Sequence, residues 1–304
     1  MAIYAISDLH LSLASPKPMD IFGPAWENHA EKLRRNWERV VTDADTVLMP
    51  GDLSWAMRFP EAEPDLSFVA DLPGTKILIR GNHDYWWQRQ ATSRIQRIVD
   101  RNMIFLQGTS VMVGDVGITG TRGWRLDWET AGGENGRKGE WEKGRAGDRE
   151  KGRVGERGNG GRGDTETRRQ DAPSPLEGEE TGRLGSPSPL EGEGWGEGDN
   201  PHSAIRTPHS DKVLVRELAY LERGLQSIPE SAKCRIVMLH FPPFDERLQP
   251  NDFARTLTKY SVDILVYGHV HTGLGLWLDG VVDGVRYYMV SADIVKFTPQ
   301  LILP

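Results

Sequence analysis

Cysteine is almost missing from this sequence: Cys234 is the only one in 304 residues. An internal disulfide is therefore impossible, and nothing asks for an oxidising compartment. Cys234 lies beside a buried-strand pattern and reads as a packed thiol rather than a reactive one. Long apolar runs are missing too. No stretch is long enough to cross a bilayer, and the first strand pattern begins without a basic n-region or an apolar h-region. A cytoplasmic protein with no membrane partner is the expectation. Neither sign of charge dominates: the net charge of −7 argues against a dedicated nucleic-acid coat.

The apolar fraction, 38%, is low for a globular chain, but the shortfall is local. Residues 131–209 hold almost nothing apolar, yet 19 of the 34 glycines fall there. The first part of this stretch is Gly, Arg, Lys and Glu with no helical or strand period. The second part is acidic and repeats Pro-Ser-Pro-Leu-Glu-Gly-Glu at 173–179 and 187–193. Two copies cannot build a solenoid. Such a segment cannot bury enough apolar surface to offset the entropy of ordering it. The expectation is one domain with its core in 1–130 and 210–304, interrupted by a disordered surface insertion at 131–209. An arginine-rich tether for RNA or a partner is the competing reading of that insertion.

What remains carries one pattern five times. Ile3-Tyr4-Ala5-Ile6 leads to Asp8 and His10, and Thr46-Val47-Leu48-Met49 leads to Gly51-Asp52. Lys76-Ile77-Leu78-Ile79 leads to Arg80-Gly81-Asn82-His83-Asp84. Arg235–Leu239 ends at His240, and Asp263–Tyr267 ends at Gly268-His269-Val270-His271. Helical spacing separates these runs: Trp26, Ala30, Leu33, Trp37 and Val40; about Ala62 to Asp71; a stretch through Ile95 and Ile98. After the insertion come Val213 to Leu225, with order returning at Lys212, and then Phe253, Leu257 and Tyr260. Strand–helix–strand units imply a largely parallel α/β arrangement with right-handed crossovers. Met103–Leu106 and Ser110–Val113 read as strands, the latter turning at Gly114-Asp115 into Val116–Thr119. The C-terminal runs Leu276–Leu278, Val285–Val290 and Ile294–Phe297 read as an antiparallel second sheet. His29, away from any strand end, reads as helix surface.

In open α/β sheets, ligands bind beyond the carboxyl ends of the strands. Five loops at one such edge could pool Asp8, His10, Asp52, Asn82, His83, His240, His269 and His271 into one site. Imidazole, carboxylate and one amide oxygen, without thiolate, suit Mn²⁺, Fe or Zn²⁺. Leaving His83 aside, the seven others are too many ligands for one ion and about right for two sharing a carboxylate. Two divalent ions outweigh two carboxylates and a bridging hydroxide, so the site would draw in a phosphate ester. His83 can donate a proton to the leaving oxygen while Asp84 holds its ring. Trp55, Arg58 and Phe59 could wall a pocket. Trp55, Tyr85, Trp86 and Trp87 could stack a base, which tilts the substrate towards nucleotide-like esters; packing beneath the loops is the other reading of these aromatics.

Asp8-x-His10, Gly51-Asp52, Gly81-Asn82-His83-Asp84, His240 and Gly268-His269-Val270-His271, in that order, resemble the calcineurin-like metallophosphoesterase superfamily. The resemblance implies a four-layer α/β/β/α sandwich of two mixed β-sheets flanked by helices, with the metals at its top edge. It implies two divalent metal ions (Mn²⁺, Fe²⁺/Fe³⁺ or Zn²⁺). Asp8, His10, Asp52 and His271 would hold one, and Asp52, Asn82, His240 and His269 the other. His83 with Asp84 would assist the leaving group. The chain departs from the protein serine/threonine phosphatases after Gly51-Asp52, where it reads Leu53-Ser54-Trp55, and Asp84 stands where those enzymes have Glu. The phosphate-clamping arginine expected after Gly-Asp is missing, and Arg58, Arg122 or Arg125 are candidates to replace it. The expected function is a dinuclear phosphoesterase acting on a small phosphodiester or phosphomonoester, with a metal-bridging hydroxide as nucleophile. The alternatives are a phosphoprotein phosphatase or nuclease of the same superfamily, and a catalytically idle metal-binding scaffold.

Overall fold

Side chains alternate between the two faces of a strand, so a run that is apolar at every position must be covered on both sides. The computed structural model shows how each face is covered. It describes residues 1–14, 16–88, 90–99, 102–124, 208–245, 247–273 and 277–304. The described residues all fall in one compact unit. Nearly all of the expected insertion lies outside the described residues.

One sheet is built from β1 (Ile3–Ala5), β2 (Thr46–Pro50), β3 (Thr75–Ile79), β4 (Met103–Phe105) and β11 (Gln300–Leu303). Its strands lie in the order β11-β1-β2-β3-β4. β1 to β4 are mutually parallel, and β11 is antiparallel to β1. The other sheet is built from β5 (Ser110–Val113), β6 (Val116–Thr121), β7 (Cys234–Leu239), β8 (Ile264–Tyr267), β9 (Gly280–Val282) and β10 (Val285–Met289). It runs β5-β6-β7-β8-β10-β9. Its four inner strands are parallel, with an antiparallel strand at each edge. The helices are α1 (His29–Val40), α2 (Phe59–Asp71), α3 (Tyr85–Gln88), α4 (Thr92–Ile98), α5 (Pro208–Gln226) and α6 (Asp252–Lys259).

Alternation assigns the layers. Leu48, Ile77 and Ile79 meet Ile118, Ile236, Met238, Ile264 and Val266 between the two sheets. Their neighbours Val47, Met49 and Leu78 turn the other way, onto Leu33 and Trp37 of α1 and Leu66 and Val69 of α2. Val237, Leu239, Leu265 and Tyr267 turn onto Leu221 and Leu225 of α5 and Phe253 and Leu257 of α6. The result is an α/β/β/α sandwich. Local chemistry supports the helix ends. The Asn251 side chain accepts from the Phe253 and Ala254 amides to start α6. Buried Lys76 donates to the Ala70 and Leu72 carbonyls where α2 stops.

The structure corrects three expectations here. Helix α5 starts at Pro208, not Lys212. Ile294–Phe297 is not a strand: Lys296 and Phe297 adopt φ of 55°, which breaks extended pairing and turns the Phe297 ring onto Trp26 at 5.1 Å. The C-terminal part is not a separate antiparallel sheet either, since β10 pairs parallel with β8 and β11 joins the first sheet. The two sheets are stitched by one bridge between Ser7 and Ser291. There the Ser7 N–H donates to the Val290 carbonyl (2.8 Å) and the Ala292 N–H to the Ser7 carbonyl (2.9 Å).

Candidate metal centre

All parallel strands of both sheets end at the same edge, and the loops beyond them carry the polar residues. Asp8 and His10 follow β1, Asp52 follows β2, and Asn82-His83-Asp84 follows β3. His240 follows β7, and His269 and His271 follow β8. Backbone hydrogen bonds hold these loops together: Asp8 N–H to the Gly51 carbonyl (3.0 Å), His10 N–H to the Asp52 carbonyl (3.1 Å), Gly268 N–H to the His240 carbonyl (3.3 Å). Close approach explains two of the glycines. A Cβ on Gly81 would fall on the Asp52 carboxylate, and one on Gly268 on that of Asp8. Asp8, His10, Asp52 and His269 have φ of 56°, 48°, 54° and 72°. Such left-handed backbone is uncommon outside glycine, costs of order 1–3 kcal/mol at a non-glycine residue, and clusters at functional sites.

Three sets of ligand atoms lie within 4.8 Å of one another: Asp8, His10 and His271; His10, Asp52 and His83; Asp8, Asp52 and His240. The His10 and His271 Nε2 atoms are 3.4 Å apart. Asp8 is fully buried; its Oδ2 accepts from the Ser7 hydroxyl (2.5 Å), the Ser291 hydroxyl (3.0 Å) and the His269 N–H (3.0 Å). Its Oδ1 has no hydrogen-bond partner and faces His271 Nε2 at 3.8 Å. On the other side, His240 Nδ1 donates to the Pro50 carbonyl at 3.0 Å, so its Nε2 presents a lone pair. That lone pair meets Asn82 Oδ1 at 2.5 Å, with His269 Nδ1 3.1 Å from the same oxygen. Two lone pairs this close need a cation or a proton between them. Together with the orphaned Asp8 Oδ1, this makes the donor set fit divalent cations.

Electrostatics agree. Burial holds His10 well below the ordinary imidazole range, leaving it neutral as a ligand must be. Burial pushes Asp52 up, but His240, His83 and His10 more than offset it and keep its carboxyl well below the usual range. Burial is also the main cause raising Asp8. For His271, burial lowers and Asp293 raises, and the balance is upward.

Asp84 sits differently from the expectation. One of its oxygens accepts from the amides of Asp52 (2.9 Å) and Gly81 (2.8 Å). The other accepts from the Leu53 amide (3.0 Å) and the Trp86 indole (3.1 Å). It therefore ties the β2 and β3 loops together, and burial with the nearby Asp52 charge pushes it up to about 6. The His83 ring is oriented by Asp52 instead, with Nδ1 2.7 Å from Oδ2. Trp55 does reach the site, 4.8 Å from the His10 ring and 4.3 Å from that of His83, with Lys17 Nζ 4.4 Å over it. Its faces are thus taken. Trp86 and Trp87 are core residues at 1% and 2% exposure, not base-stacking surfaces, because α3 turns both indoles inward. Half-buried Tyr85 stays 6.0 Å from His83. Phe59 packs 6.1 Å from Trp86, and Arg58 is exposed at the start of α2, its side chain making no hydrogen bond or ion pair among the described residues. Arg122 lies at the metal edge; Arg125 is outside the described residues. His29 is half-buried against Trp26 (5.5 Å) rather than on the helix surface.

Sequence reasoning missed Asp293. It lies beyond β10, its Oδ1 2.9 Å from His271 Nδ1 and its Oδ2 accepting from the Thr272 amide at 2.8 Å. A carboxylate behind a ligating imidazole fixes the ring's tautomer and direction. The run before it, Val285–Val290, is interrupted by exposed Arg286 and so did not stand out with the other five. Asp293→Ala is expected to weaken metal binding about 10–100-fold. Calorimetric titration of the stripped protein with Mn²⁺ measures this, and wild-type affinity would remove Asp293 from the centre.

Comparison with known proteins places this fold and site beside the following families and structures. Residues 1–142 match the family described as calcineurin-like phosphoesterase. A 78-residue stretch is 35% identical to the gene 66 protein of Mycobacterium phage L5. That match covers 26% of this chain and only 37% of the phage protein. Among solved structures, phosphopantetheinyl hydrolase from Mycobacterium tuberculosis aligns over 100% of this chain and 96% of its own, at 17% identity and a TM-score of 0.49. A protein from Thermus thermophilus aligns over 99% and 97%, at 12% identity and 0.47. A protein of unknown function from Aquifex aeolicus aligns over 99% and 95%, at 12% and 0.39.

Proposed function

We propose that this chain hydrolyses a small phosphate ester, mono- or diester, using two divalent metal ions. The observation that carries this is the meeting of His240 Nε2, Asn82 Oδ1 and His269 Nδ1 beside a second gathering of ligand atoms from Asp8, His10 and His271. Asp8, His10 and His271 would hold one ion and Asn82, His240 and His269 the second, with Asp52 serving both. Divalent ions bound there would supply Lewis acidity and would lower the pKa of water to make the nucleophile. His83 stands over this edge, steered by Asp52, and protonates the leaving oxygen. Asp84 keeps the Asp52 and His83 loops in register, a positioning role. Asp293 aims His271. Mn²⁺, Fe and Zn²⁺ all suit the donor set.

No helix among the described residues is long and apolar enough to cross a membrane. With one cysteine in the chain, a cytoplasmic location is part of the proposal. So is a dispensable insertion: replacing residues 131–207 by a short Gly/Ser linker is expected to leave activity within about twofold, since loop-closure cost changes slowly with length. Precipitation or loss of turnover would give the insertion a role.

The function is tested by stripping the protein of metal and refilling it with Mn²⁺, Fe²⁺, Zn²⁺ or Mg²⁺. Each form is then offered a chromogenic phosphomonoester and a chromogenic phosphodiester. Hydrolysis of either, restored by metal, supports the proposal. Silence with every metal and both esters would leave a scaffold.

A further inference from the structure

Two guanidiniums at the same edge are not used by the metal centre. Arg80 follows β3, immediately before Gly81, and Arg122 follows β6, its carbonyl accepting from the amides of His240 (3.1 Å) and Phe241 (3.0 Å). Both side chains are half-buried, and the Nε of each is shielded and has no hydrogen-bond partner. Among the described residues neither forms an ion pair. Arginine does not shed its proton in proteins, so both charges persist. A partly desolvated cation without a partner is costly and calls for a counter-charge.

The protein supplies too little of it. Glu217 of α5, 1% exposed, acts on both arginines, but its carboxylate already takes the Thr121 hydroxyl and lies 3.4 Å from Arg216. Three guanidiniums therefore share one buried glutamate. Asp84, which also acts on Arg80, has both oxygens committed to amides and an indole. Burial, and then repulsion from Arg80, bring Arg122 down to about 10. The surplus lies close to the reaction. The Arg122 guanidinium is 5.0 Å from the Trp124 ring and 6.0 Å from that of Phe241, and the Phe241 ring is 4.4 Å from that of His269. One aromatic ring separates the cation from the metal residues. Charge-assisted, forked hydrogen bonds to an oxyanion are what such a pair of guanidiniums is built to make.

We propose that Arg80 and Arg122 form a second anion pocket beside the metal centre, so that the substrate is a phosphate ester carrying a further carboxylate or phosphate. The proposal rests on the phosphoesterase reading and narrows it to doubly anionic esters.

Three small esters differing only in the second group test it: ethyl phosphate, phosphoglycolate and ethylene glycol bisphosphate, with phosphate release followed on the full-length Mn²⁺-loaded protein. The wild type is expected to prefer at least one doubly anionic ester. Arg80→Gln and Arg122→Gln should each erode that preference about 10–100-fold in kcat/KM, mainly through KM, with ethyl phosphate changed by less than about threefold. Arg80→Lys and Arg122→Lys, which keep the charge, should retain part of it, and circular dichroism checks that every variant is folded. The two doubly anionic esters decide between carboxylate and phosphate. No preference in the wild type, or equal losses on all three esters, overturns the pocket while leaving the phosphoesterase reading intact. If no ester is turned over with any metal, calorimetric titration of the metal-free protein with inorganic phosphate decides. Binding abolished by the glutamine variants keeps the pocket without the activity; absent or unchanged binding removes both.

Discussion

Asp52→Asn is expected to empty both metal positions while the fold stays intact. Asn keeps the volume of Asp and can still accept the His83 N–H that Oδ1 now takes at 2.8 Å, so the β2 and β3 loops remain joined. What disappears is the negative charge that His10, His83 and His240 surround at 3.8, 2.7 and 3.5 Å. A neutral amide cannot serve two cations, and each loses its anionic bridge. Elemental analysis after gel filtration should fall from about two ions per chain to less than one. Turnover should drop by at least about 10³-fold, since several kcal/mol of transition-state stabilisation leave with the metals. Two ions still tightly held in Asp52→Asn would contradict the shared-ligand role. Circular dichroism and the thermal midpoint, close to those of the metal-free wild type, would show that the loss is not unfolding.

The second large effect concerns His83. His83→Ala should keep its metal and slow hydrolysis about 10²–10⁴-fold, the usual weight of a general acid. The size of the loss should depend on the leaving group. Nitrophenolate departs without a proton, so a nitrophenyl ester should lose much less than an alkyl ester. This dependence separates proton donation from metal binding, a real distinction here because His83 also lies within ligand reach of His10 and Asp52. If metal is lost with His83, the residue is a ligand. If alkyl esters turn over at wild-type rates, it is neither.

The sequence shows the five loops of the candidate site because parallel strands buried on both faces must be apolar throughout, and that stands out against the polar helices between them. The sixth loop stayed hidden for a physical reason. Arg286 of β10 is exposed, and the strand pairs with β9 at the sheet edge, so Val285-Arg286-Tyr287 alternates as a half-solvated antiparallel strand does. Nothing local reveals that its other neighbour is β8, and with that pairing the approach of Asp293 to His271 was also lost. Asp84 shows a different limit. Its partners, the amides of Asp52, Leu53 and Ser54, are some thirty residues away, whereas the adjacent His83 ring is the partner that sequence proximity offers. The aromatic loops divide for the same reason, since only tertiary packing decides that Trp86 and Trp87 face the core while Trp55 lies against His10.

The bridge between Ser7 and Ser291 has a consequence for how the molecule tolerates change. Apolar layers carry no directional restraint, so two sheets in contact through side chains alone can slide or splay by fractions of an ångström. Here one end is riveted by two amide-to-carbonyl bonds, directly beneath Asp8. Enlarging a residue in the inter-sheet layer should therefore wedge the sandwich open from the opposite end, as a clamped book opens away from its spine. The gap across which Asp8 faces His269 and His271 would be the last dimension of the protein to drift.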